Sequence, residues 1–111
     1  MAFMPSLWTS LTLPRYIIEN LIAGGDLRSY VDQTNGPLAD TDASLIVYQI
    51  LKALEYLHGI KITHRDLKPE NVLMSFPAVG ARVILTDFGH SIKAPKSRMQ
   101  SCVGTADYVA P

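Results

Sequence analysis

The sequence predicts an α+β fold, because one long amphipathic helix is followed by two short apolar runs that suit a β-hairpin. The helix is expected over about residues 41–58, where apolar side chains recur at steps of three and four. The two strands are expected at 72–74 and 83–85, on either side of a loop that contains Pro77 and Gly80. With 111 residues, 48% of them apolar, the chain has the size and composition of one globular domain.

The part of the chain before the long helix falls into three segments. Residues 1–14 follow neither a helical nor a strand period and stay unassigned. Residues 16–18 are a β-favouring run that predicts a short strand. The glycine pair at 24–25 then interrupts the chain, and Asp26 is placed to cap a short helix that ends near residue 30 or 31.

The long helix carries signals at both of its ends. Asp40 is expected as its N-cap, Asp42 adds negative charge to the first turn, and Gly59 is expected to end the helix. Residues 61–63 are expected to be extended, and residues 87–111 to form a long loop. The apolar positions of the helix predict one buried stripe, made of Leu45, Ile46, Ile50, Ala53, Leu54 and Leu57.

Charge and cysteine usage exclude several classes of protein. Ten basic and ten acidic side chains balance, so no basic face is expected and nucleic acid is not an expected partner. The single Cys102 cannot form an internal disulfide. The first segment has no basic start and is interrupted by Pro5 and Pro14, which argues against a secretory signal. No apolar run approaches the roughly 18 residues of a membrane span, so we expect an intracellular protein, of cytoplasm or nucleus, without a membrane partner.

Four polar side chains flank the predicted hairpin and predict a site for phosphoryl transfer. Asp66, Lys68 and Asn71 precede its first strand, and Asp87 follows its second strand. Antiparallel pairing brings the start of one strand beside the end of the other, so Asn71 and Asp87 should face a common point. One charged and one neutral oxygen ligand suit Mg²⁺, Lys68 adds positive charge, and Asp66 can accept the proton of a hydroxyl group.

Two motifs in this region resemble those of eukaryotic-type Ser/Thr protein kinases. Residues 64–71 read HRDLKPEN, as in the catalytic loop of that family, and residues 87–89 read DFG, as in its metal-binding triplet. The resemblance implies that Asp66 is the catalytic base, that Lys68 contacts the γ-phosphate, and that Asn71 and Asp87 hold Mg²⁺. It also implies that His64 and Phe88 pack rather than react.

The fold implied by the resemblance is a partial kinase domain over residues 15–111. That part would comprise mainly the helical C-terminal lobe with small β-hairpins, and the N-terminal lobe would be largely absent. The run GGDL at 24–27, followed by the long helix, is similar to calcium/calmodulin-type and checkpoint-type kinases.

Residues 104–111, GTADYVAP, resemble the end of the family's activation segment. Ala and Asp stand at 106 and 107, where the family usually has Pro and Glu. Thr105 would belong to the loop that faces the substrate, which the resemblance implies to be a protein with an acceptor Ser or Thr.

The resemblance also implies a regulatory phosphorylation site in this segment. Ser101 stands where many members carry an activating phosphate, and Ser97 is the alternative. Arg65 would pair with that phosphate, and an activating kinase would be a further partner.

ATP and Mg²⁺ are the cofactors that the resemblance implies. Residues 18–27 resemble the hinge that binds adenine, although 18–20 differ from the usual pattern. Backbone groups from Asn20 to Ile22 would meet the adenine ring, Asp26 would reach the ribose, and Leu73 would pack beneath the ring.

Two features of an active kinase are missing from the 111 residues. No lysine occurs before Lys52, and no G-x-G-x-x-G run is present to cover the phosphates. We therefore expect a truncated fragment with little activity by itself. The alternative is a non-catalytic kinase remnant that acts as a regulatory or binding protein.

Overall fold

The computed structural model describes residues 16–93 and 104–108, and within them the predicted α+β class is confirmed. The described elements are helices α1 (Leu27–Gln33) and α2 (Asp40–Gly59) and strands β1 (Ile62–Thr63), β2 (Val72–Met74), β3 (Val83–Leu85) and β4 (Ile92–Lys93). The predictions for segment 1–14, Ser97, Ser101 and Cys102 lie outside the described residues.

Helix α1 begins as the sequence predicts and runs slightly longer. The carboxylate of Asp26 caps it, because Oδ1 accepts a hydrogen bond from the Ser29 amide at 2.8 Å and Oδ2 accepts one from the Ser29 hydroxyl at 2.8 Å. The helix continues to Gln33, where Thr34 caps it by donating from its backbone N–H and its hydroxyl to the carbonyl of Val31. This extra hydroxyl bond accounts for the two or three residues beyond the expected end.

The N-cap of α2 is not the predicted Asp40. Ala39 is the N-cap and makes no side-chain capping bond, while Asp40 is already the first helical residue. Asp40 and Asp42 both lie in the first turn, where their negative charge favours the exposed amides of the helix end. The predicted cap is therefore wrong, but the predicted charge effect remains.

The predicted C-terminal stop at Gly59 is also displaced. Gly59 is the last helical residue, Ile60 is the C-cap, and the left-handed backbone that turns the chain out of the helix belongs to Lys61, with φ 63°. The Lys61 amide donates to the carbonyl of His58, which closes this turn. Glycine is preferred for such a conformation, but the hydrogen bonds of the turn impose it on a lysine here.

The apolar stripe of α2 is only partly as predicted. Ile46 and Leu57 are buried and Ile50, Ala53 and Leu54 are half-buried, but Leu45 is 52% exposed, so its assignment to the core is wrong. The helix packs against β3 and β1, and these elements cover one side of it. The large apolar side chains that remain exposed on this helix are Leu45, Val47, Tyr48, Leu51 and Tyr56.

Two small antiparallel sheets position the chain around the site. The predicted hairpin forms with β2 and β3 at the expected residues, with Val72 opposite Leu85 and Met74 opposite Val83. Strand β1 pairs with β4. The predicted long loop after residue 87 therefore contains a strand, together with single 3₁₀ turns at Phe88–His90 and Ala106–Tyr108.

One half-buried side-chain amide joins α2 to the hairpin. The Gln49 side chain donates to the Ala81 carbonyl at 3.1 Å and accepts from the Val83 amide at 3.0 Å. Because it satisfies both a donor and an acceptor of the hairpin, it holds the first residue of β3 against the helix.

The predicted strand at 16–18 is wrong. These residues have no strand geometry, and Ile18 is 97% exposed. A strand needs a neighbour for its hydrogen bonds, and no described residue pairs with this segment.

The core lies between α1, α2 and the hairpin. Its buried members are Leu27, Ile46, Val72, Met74 and Ala81. The turn before α1 closes onto this core at Gly24, where an added Cβ would collide with the Met74 carbonyl oxygen and the Phe76 backbone. Of the two described helices, neither combines the length and the apolar character that crossing a bilayer requires.

Candidate active site

The catalytic-loop motif lies between β1 and β2 and carries buried polar side chains. His64, Asp66 and Asn71 are only 2%, 5% and 6% exposed. Arg65 between them has a left-handed backbone with φ 68°, which is unusual for a non-glycine residue. Buried polar groups are costly unless they are hydrogen-bonded, so the bonds of each residue decide how the loop is held.

Asp66 is the centre of this network. Its Oδ1 accepts hydrogen bonds from the Thr105 amide at 2.9 Å and the Thr105 hydroxyl at 2.7 Å. Its Oδ2 accepts from Asn71 Nδ2 at 3.0 Å and lies 3.2 Å from Lys68 Nζ. The Thr105 hydroxyl, and after it Lys68, hold the pKa of Asp66 well below its usual range, although burial acts in the opposite direction. The carboxylate is therefore ionised at neutral pH.

Lys68 connects two distant parts of the chain. Its Nζ donates to the Thr105 hydroxyl at 2.7 Å, across 37 positions of sequence, while it also pairs with Asp66. The Lys68 side chain is 22% exposed, so it is not fully enclosed by the site. The residue predicted to face the substrate, Thr105, is thus in direct contact with two of the predicted catalytic residues.

Asn71 is oriented by Asp66. Its Nδ2 donates to the backbone carbonyl of Asp66 at 2.8 Å and to the carboxylate of Asp66. Since the amide nitrogen is used in this way, the amide oxygen Oδ1 is the atom available to a cation. The Asn71 carbonyl accepts from the Thr86 amide at 3.0 Å, which extends the hairpin register by one pair.

Asp87 follows that pair and lies at the same end of the hairpin as Asn71. Its backbone is left-handed, with φ 58°, and its Oδ1 accepts from the Gly89 amide at 3.3 Å while the residue stays exposed. One carboxylate and one amide oxygen are a donor set that suits Mg²⁺, which keeps several water or phosphate ligands. Within 16–93 and 104–108, no three His, Cys, Asp or Glu side chains cluster to hold a metal ion. A cation held by Asn71 and Asp87 would therefore take most of its ligands from water or phosphate.

His64 connects the catalytic loop to the end of β3. Its Nε2 bonds to the Thr86 carbonyl at 2.8 Å, and its Nδ1 accepts from the Asp66 amide at 3.3 Å. The two bonds together require the proton on Nε2. The ring also contacts Phe88, with centroids 4.9 Å apart and planes tilted by 59°. His64 and Phe88 therefore pack, as the sequence predicts.

A cleft of about 320 Å³ lies between the hairpin and residues 16–26, which precede α1 and are called the hinge-like segment below. Three of the predicted nucleotide-binding residues, Asn20, Ile22 and Leu73, line it. Asp26 is not among the lining residues, and both of its carboxylate oxygens are engaged in capping α1. The other lining residues are Glu19, Arg82, Ile84, Leu85, Thr86 and Phe88.

Sequence reasoning missed one residue of this site. His90 lies with its Nδ1 3.7 Å from Oδ2 of Asp66, and Arg65 Nε donates to its backbone carbonyl at 2.6 Å. Its position directly after the DFG run was the available signal. The predicted phosphate partner Arg65 thus contacts the backbone of His90, while its pairing with Ser101 stays a prediction.

Comparison with known proteins agrees with these motifs. A family model described as the protein kinase domain matches residues 9–111. The chain is 45% identical over 100 residues to the meiosis-specific serine/threonine-protein kinase MEK1 of Saccharomyces cerevisiae, a match that covers 86% of this chain and 20% of that protein. It is 40% identical over 97 residues to an Aurora kinase of the same organism, covering 86% and 25%. It is 38% identical over 96 residues to a calcium/calmodulin-dependent protein kinase type 1 of Macrobrachium nipponense, covering 86% and 28%.

The chain thus spans between about a fifth and somewhat over a quarter of the length of these relatives. Its resemblance to Ser/Thr protein kinases is confirmed as a resemblance to part of their catalytic domain. The chain belongs to the protein kinase domain family.

Proposed function

We propose that the polypeptide containing this chain is a Ser/Thr protein kinase that transfers a phosphoryl group from Mg-ATP to a protein hydroxyl. The observation that carries the proposal is the environment of Asp66, an ionised carboxylate held by Thr105, Asn71 and Lys68. A fixed acceptor of this kind suits the removal of a proton from a hydroxyl group.

The cleft beside the hinge-like segment is the proposed nucleotide site. Adenine would lie against Leu73, with the backbone between Asn20 and Ile22 as its hydrogen-bonding edge. Asp26 would reach the ribose only through a lone pair that the Ser29 bonds leave open. The nucleotide's phosphates would then point along the hairpin toward Asn71 and Asp87.

The proposed metal ligands are Oδ1 of Asn71 and the carboxylate of Asp87. Mg²⁺, when bound there, would neutralise part of the phosphate charge. Asp66 keeps the Asn71 amide in the orientation that this role requires, because it accepts both Nδ2 hydrogen bonds. The proposed catalytic and metal-binding residues therefore depend on each other.

The proposed chemistry assigns one role to each charged group. Oδ2 of Asp66 accepts the proton of the acceptor hydroxyl, whose oxygen forms the new bond to the γ-phosphorus as the bond to the ADP oxygen breaks. Lys68 offsets negative charge on the transferred group, and Thr105 holds Oδ1 so that Oδ2 faces the reaction.

Regulation by phosphorylation belongs to the same proposal. An activating kinase would modify Ser101, or Ser97, and Arg65 would pair with the phosphate. The Nε of Arg65 donates to the His90 carbonyl, which places its guanidinium group beside the turn that follows the DFG run. An intracellular location fits this scheme, since the proposed activating kinase and ATP are available there.

Asp66→Asn in the complete natural polypeptide that contains this chain tests the assignment. We expect phosphorylation of a Ser/Thr protein substrate to fall by about 10³-fold, because the amide cannot take up the proton. Binding of Mg-ATP, measured by calorimetry, should persist. The matched control is Asp32→Asn, which changes an exposed carboxylate on α1 that pairs with Arg28. Equal activity of the two variants would contradict the proposed base.

The same assay applied to residues 1–111 alone should give little product. The sequence has no glycine-rich phosphate cover and no lysine before Lys52. Robust activity of the isolated 111 residues would overturn this part of the proposal.

A further inference from the structure

His90 is the titratable side chain near Asp66 that the proposed reaction does not use. Its Nδ1 lies 3.7 Å from Oδ2 of Asp66, which is too long for a hydrogen bond and within range of an ion pair when the ring is protonated. The ring is 52% exposed, whereas the Asp66 side chain is 4% exposed. His90 therefore covers a buried carboxylate from its outer side.

The two oxygens of Asp66 are not equivalent. Oδ1 accepts both hydrogen bonds from Thr105, so its lone pairs are taken. Oδ2 accepts one bond from Asn71 and has Lys68 at 3.2 Å. Oδ2 is thus the oxygen left to receive the proton of an acceptor hydroxyl, and it is also the oxygen that His90 approaches.

The outer side is also the side from which a protein substrate must arrive. Asn71 approaches Asp66 from the interior, and Lys68 is 22% exposed. Among the side chains around Oδ2, His90 is the most exposed, so an acceptor hydroxyl reaches Oδ2 past the imidazole.

The backbone holds His90 in this place. Arg65 Nε donates to its carbonyl at 2.6 Å, and the Ser91 amide donates to the Phe88 carbonyl at 3.0 Å to close the 3₁₀ turn. The imidazole is therefore kept near Asp66 by the same loop that carries the DFG motif.

We propose that His90 is a positioning residue that controls access to Asp66: a protonated imidazole pairs with Oδ2 and excludes the acceptor hydroxyl, and a neutral imidazole admits it. This inference rests on the proposed role of Asp66 as the base. An imidazole changes charge between about pH 5 and pH 8, so access to the base depends on pH in that range.

Charged groups of both signs lie around the His90 ring. Asp66 is the carboxylate within ion-pair range of the ring, and Lys68 Nζ lies 3.2 Å from the same oxygen, Oδ2. Arg65 donates through Nε to the backbone carbonyl of His90, and Asp87 accepts from the Gly89 amide within its own turn.

The test is the pH profile of kcat/KM between pH 5.5 and 8.5 in the complete polypeptide that contains this chain. The variants are His90→Asn, which keeps a polar side chain of similar reach, and the control His58→Asn, at an exposed histidine in the last turn of α2. On lowering the pH from 7.5 to 5.5, the wild type and the control should lose about ten-fold more activity than His90→Asn. A residue with a purely structural role would lower activity equally at every pH.

A second readout does not need activity. The carboxyl carbon of Asp66, followed by ¹³C NMR, should shift in one step between pH 5 and 8 in the wild type and in His58→Asn, and should stay constant in His90→Asn. A constant signal in the wild type, or a step that persists in His90→Asn, would overturn the inference.

The two proposals fail differently. If Asp66→Asn keeps full activity, the base is misassigned and the inference falls with it. If Asp66→Asn is inactive while His90→Asn keeps the wild-type pH profile, the inference on His90 alone is wrong.

Discussion

The catalytic loop and the hinge-like segment before α1 have opposite relations to solvent. In the loop, the polar residues His64, Asp66 and Asn71 are at most 6% exposed. In the hinge-like segment, the apolar residues Ile18 and Leu21 are 97% and 92% exposed. A simple rule that apolar side chains are buried and polar ones are exposed would predict the opposite for both regions.

The difference shows that burial in this chain follows available partners rather than side-chain polarity. Each buried polar group of the loop has its hydrogen bonds from within the site, which removes most of the cost of burial. The side chains of Ile18 and Leu21 meet no covering surface among the described residues. The predictions below concern the complete polypeptide that contains this chain and test that difference.

Asn71→Asp should have the largest effect on stability. It places a second carboxylate against the buried carboxylate of Asp66 and removes the two hydrogen bonds that Asn71 Nδ2 donates. We expect the free energy of unfolding, from urea titration at pH 7, to fall by about 3 kcal/mol. The control Asn35→Asp, at an exposed turn before α2, should change it by less than about 0.5 kcal/mol. Similar losses for both would mean that the loop is not held by partner bonds.

Gly24→Ala should have the next largest effect on stability. The new methyl group would collide with the Met74 carbonyl and the backbone of Phe76, so the hinge-like segment must move away from the hairpin. A loss of about 2 kcal/mol in the free energy of unfolding is expected. Gly59→Ala is the matched control, because nothing lies within 4 Å of its added Cβ and it stands in a helix, where alanine is favoured by about 0.5 kcal/mol. If both variants behave alike, the segment has no close contact with the core.

Gln49→Leu should cost somewhat less. It leaves the Ala81 carbonyl and the Val83 amide without their side-chain partner, while the leucine still fills the space beside the hairpin. The free energy of unfolding should fall by about 1.5 kcal/mol. Gln33→Leu, at the exposed end of α1, is the control and should be close to neutral. A neutral Gln49→Leu would show that packing alone joins the helix to the hairpin.

Asp66 should make stability depend on pH in the acid range. Its pKa is lowered in the folded state from the ordinary 3.8, chiefly by the Thr105 hydroxyl, so the unfolded state binds more protons as pH falls below about 5. The contribution of Asp66 to the free energy of unfolding is fully present above its pKa in the unfolded state. It is lost as the pH falls toward its pKa in the folded state. Asp66→Asn should reduce the slope of the unfolding free energy against pH between pH 3 and 5. The reduction should correspond to less than one bound proton. Thr105→Val, which keeps the backbone donor, should reduce the slope less; an unchanged slope in both variants would contradict the assignment.

Ile18→Ser should have the smallest effect. Its side chain is 97% exposed, so its replacement removes almost no buried apolar area. We expect the free energy of unfolding to change by less than about 0.5 kcal/mol. The same substitution at Ile46, 7% exposed in α2, should lower it by about 3 kcal/mol. A large loss at Ile18 would mean that a surface outside the described residues covers it.

Local signals in the sequence were enough for the elements nearest the site. The hairpin forms at the predicted residues because short apolar runs around a Pro and Gly loop have few alternative pairings. The cap at Asp26 forms because its carboxylate needs only the Ser29 groups three positions away. The HRDLKPEN and DFG motifs identified the family for the same reason, since their spacing is local and specific.

Longer-range features could not be obtained in this way. The bonds from Thr105 to Asp66 span 39 positions, and the approach of His90 to Oδ2 depends on the turn after Asp87. Leu45 fits the helical stripe as well as Ile46 does, yet only Ile46 meets the core. The strand expected at 16–18 needed a partner that the described residues do not supply.

By itself, then, the sequence determined the family, the α+β class, the hairpin and the polar side chains that flank it. Only the tertiary structure decided that Thr105 bonds to Oδ1 of Asp66, that His90 approaches Oδ2, and which face of α2 is buried. The physical reason is range. Caps, turns and strand pairing depend on neighbours a few residues away, whereas burial and the bonds of Asp66 depend on where all the elements meet.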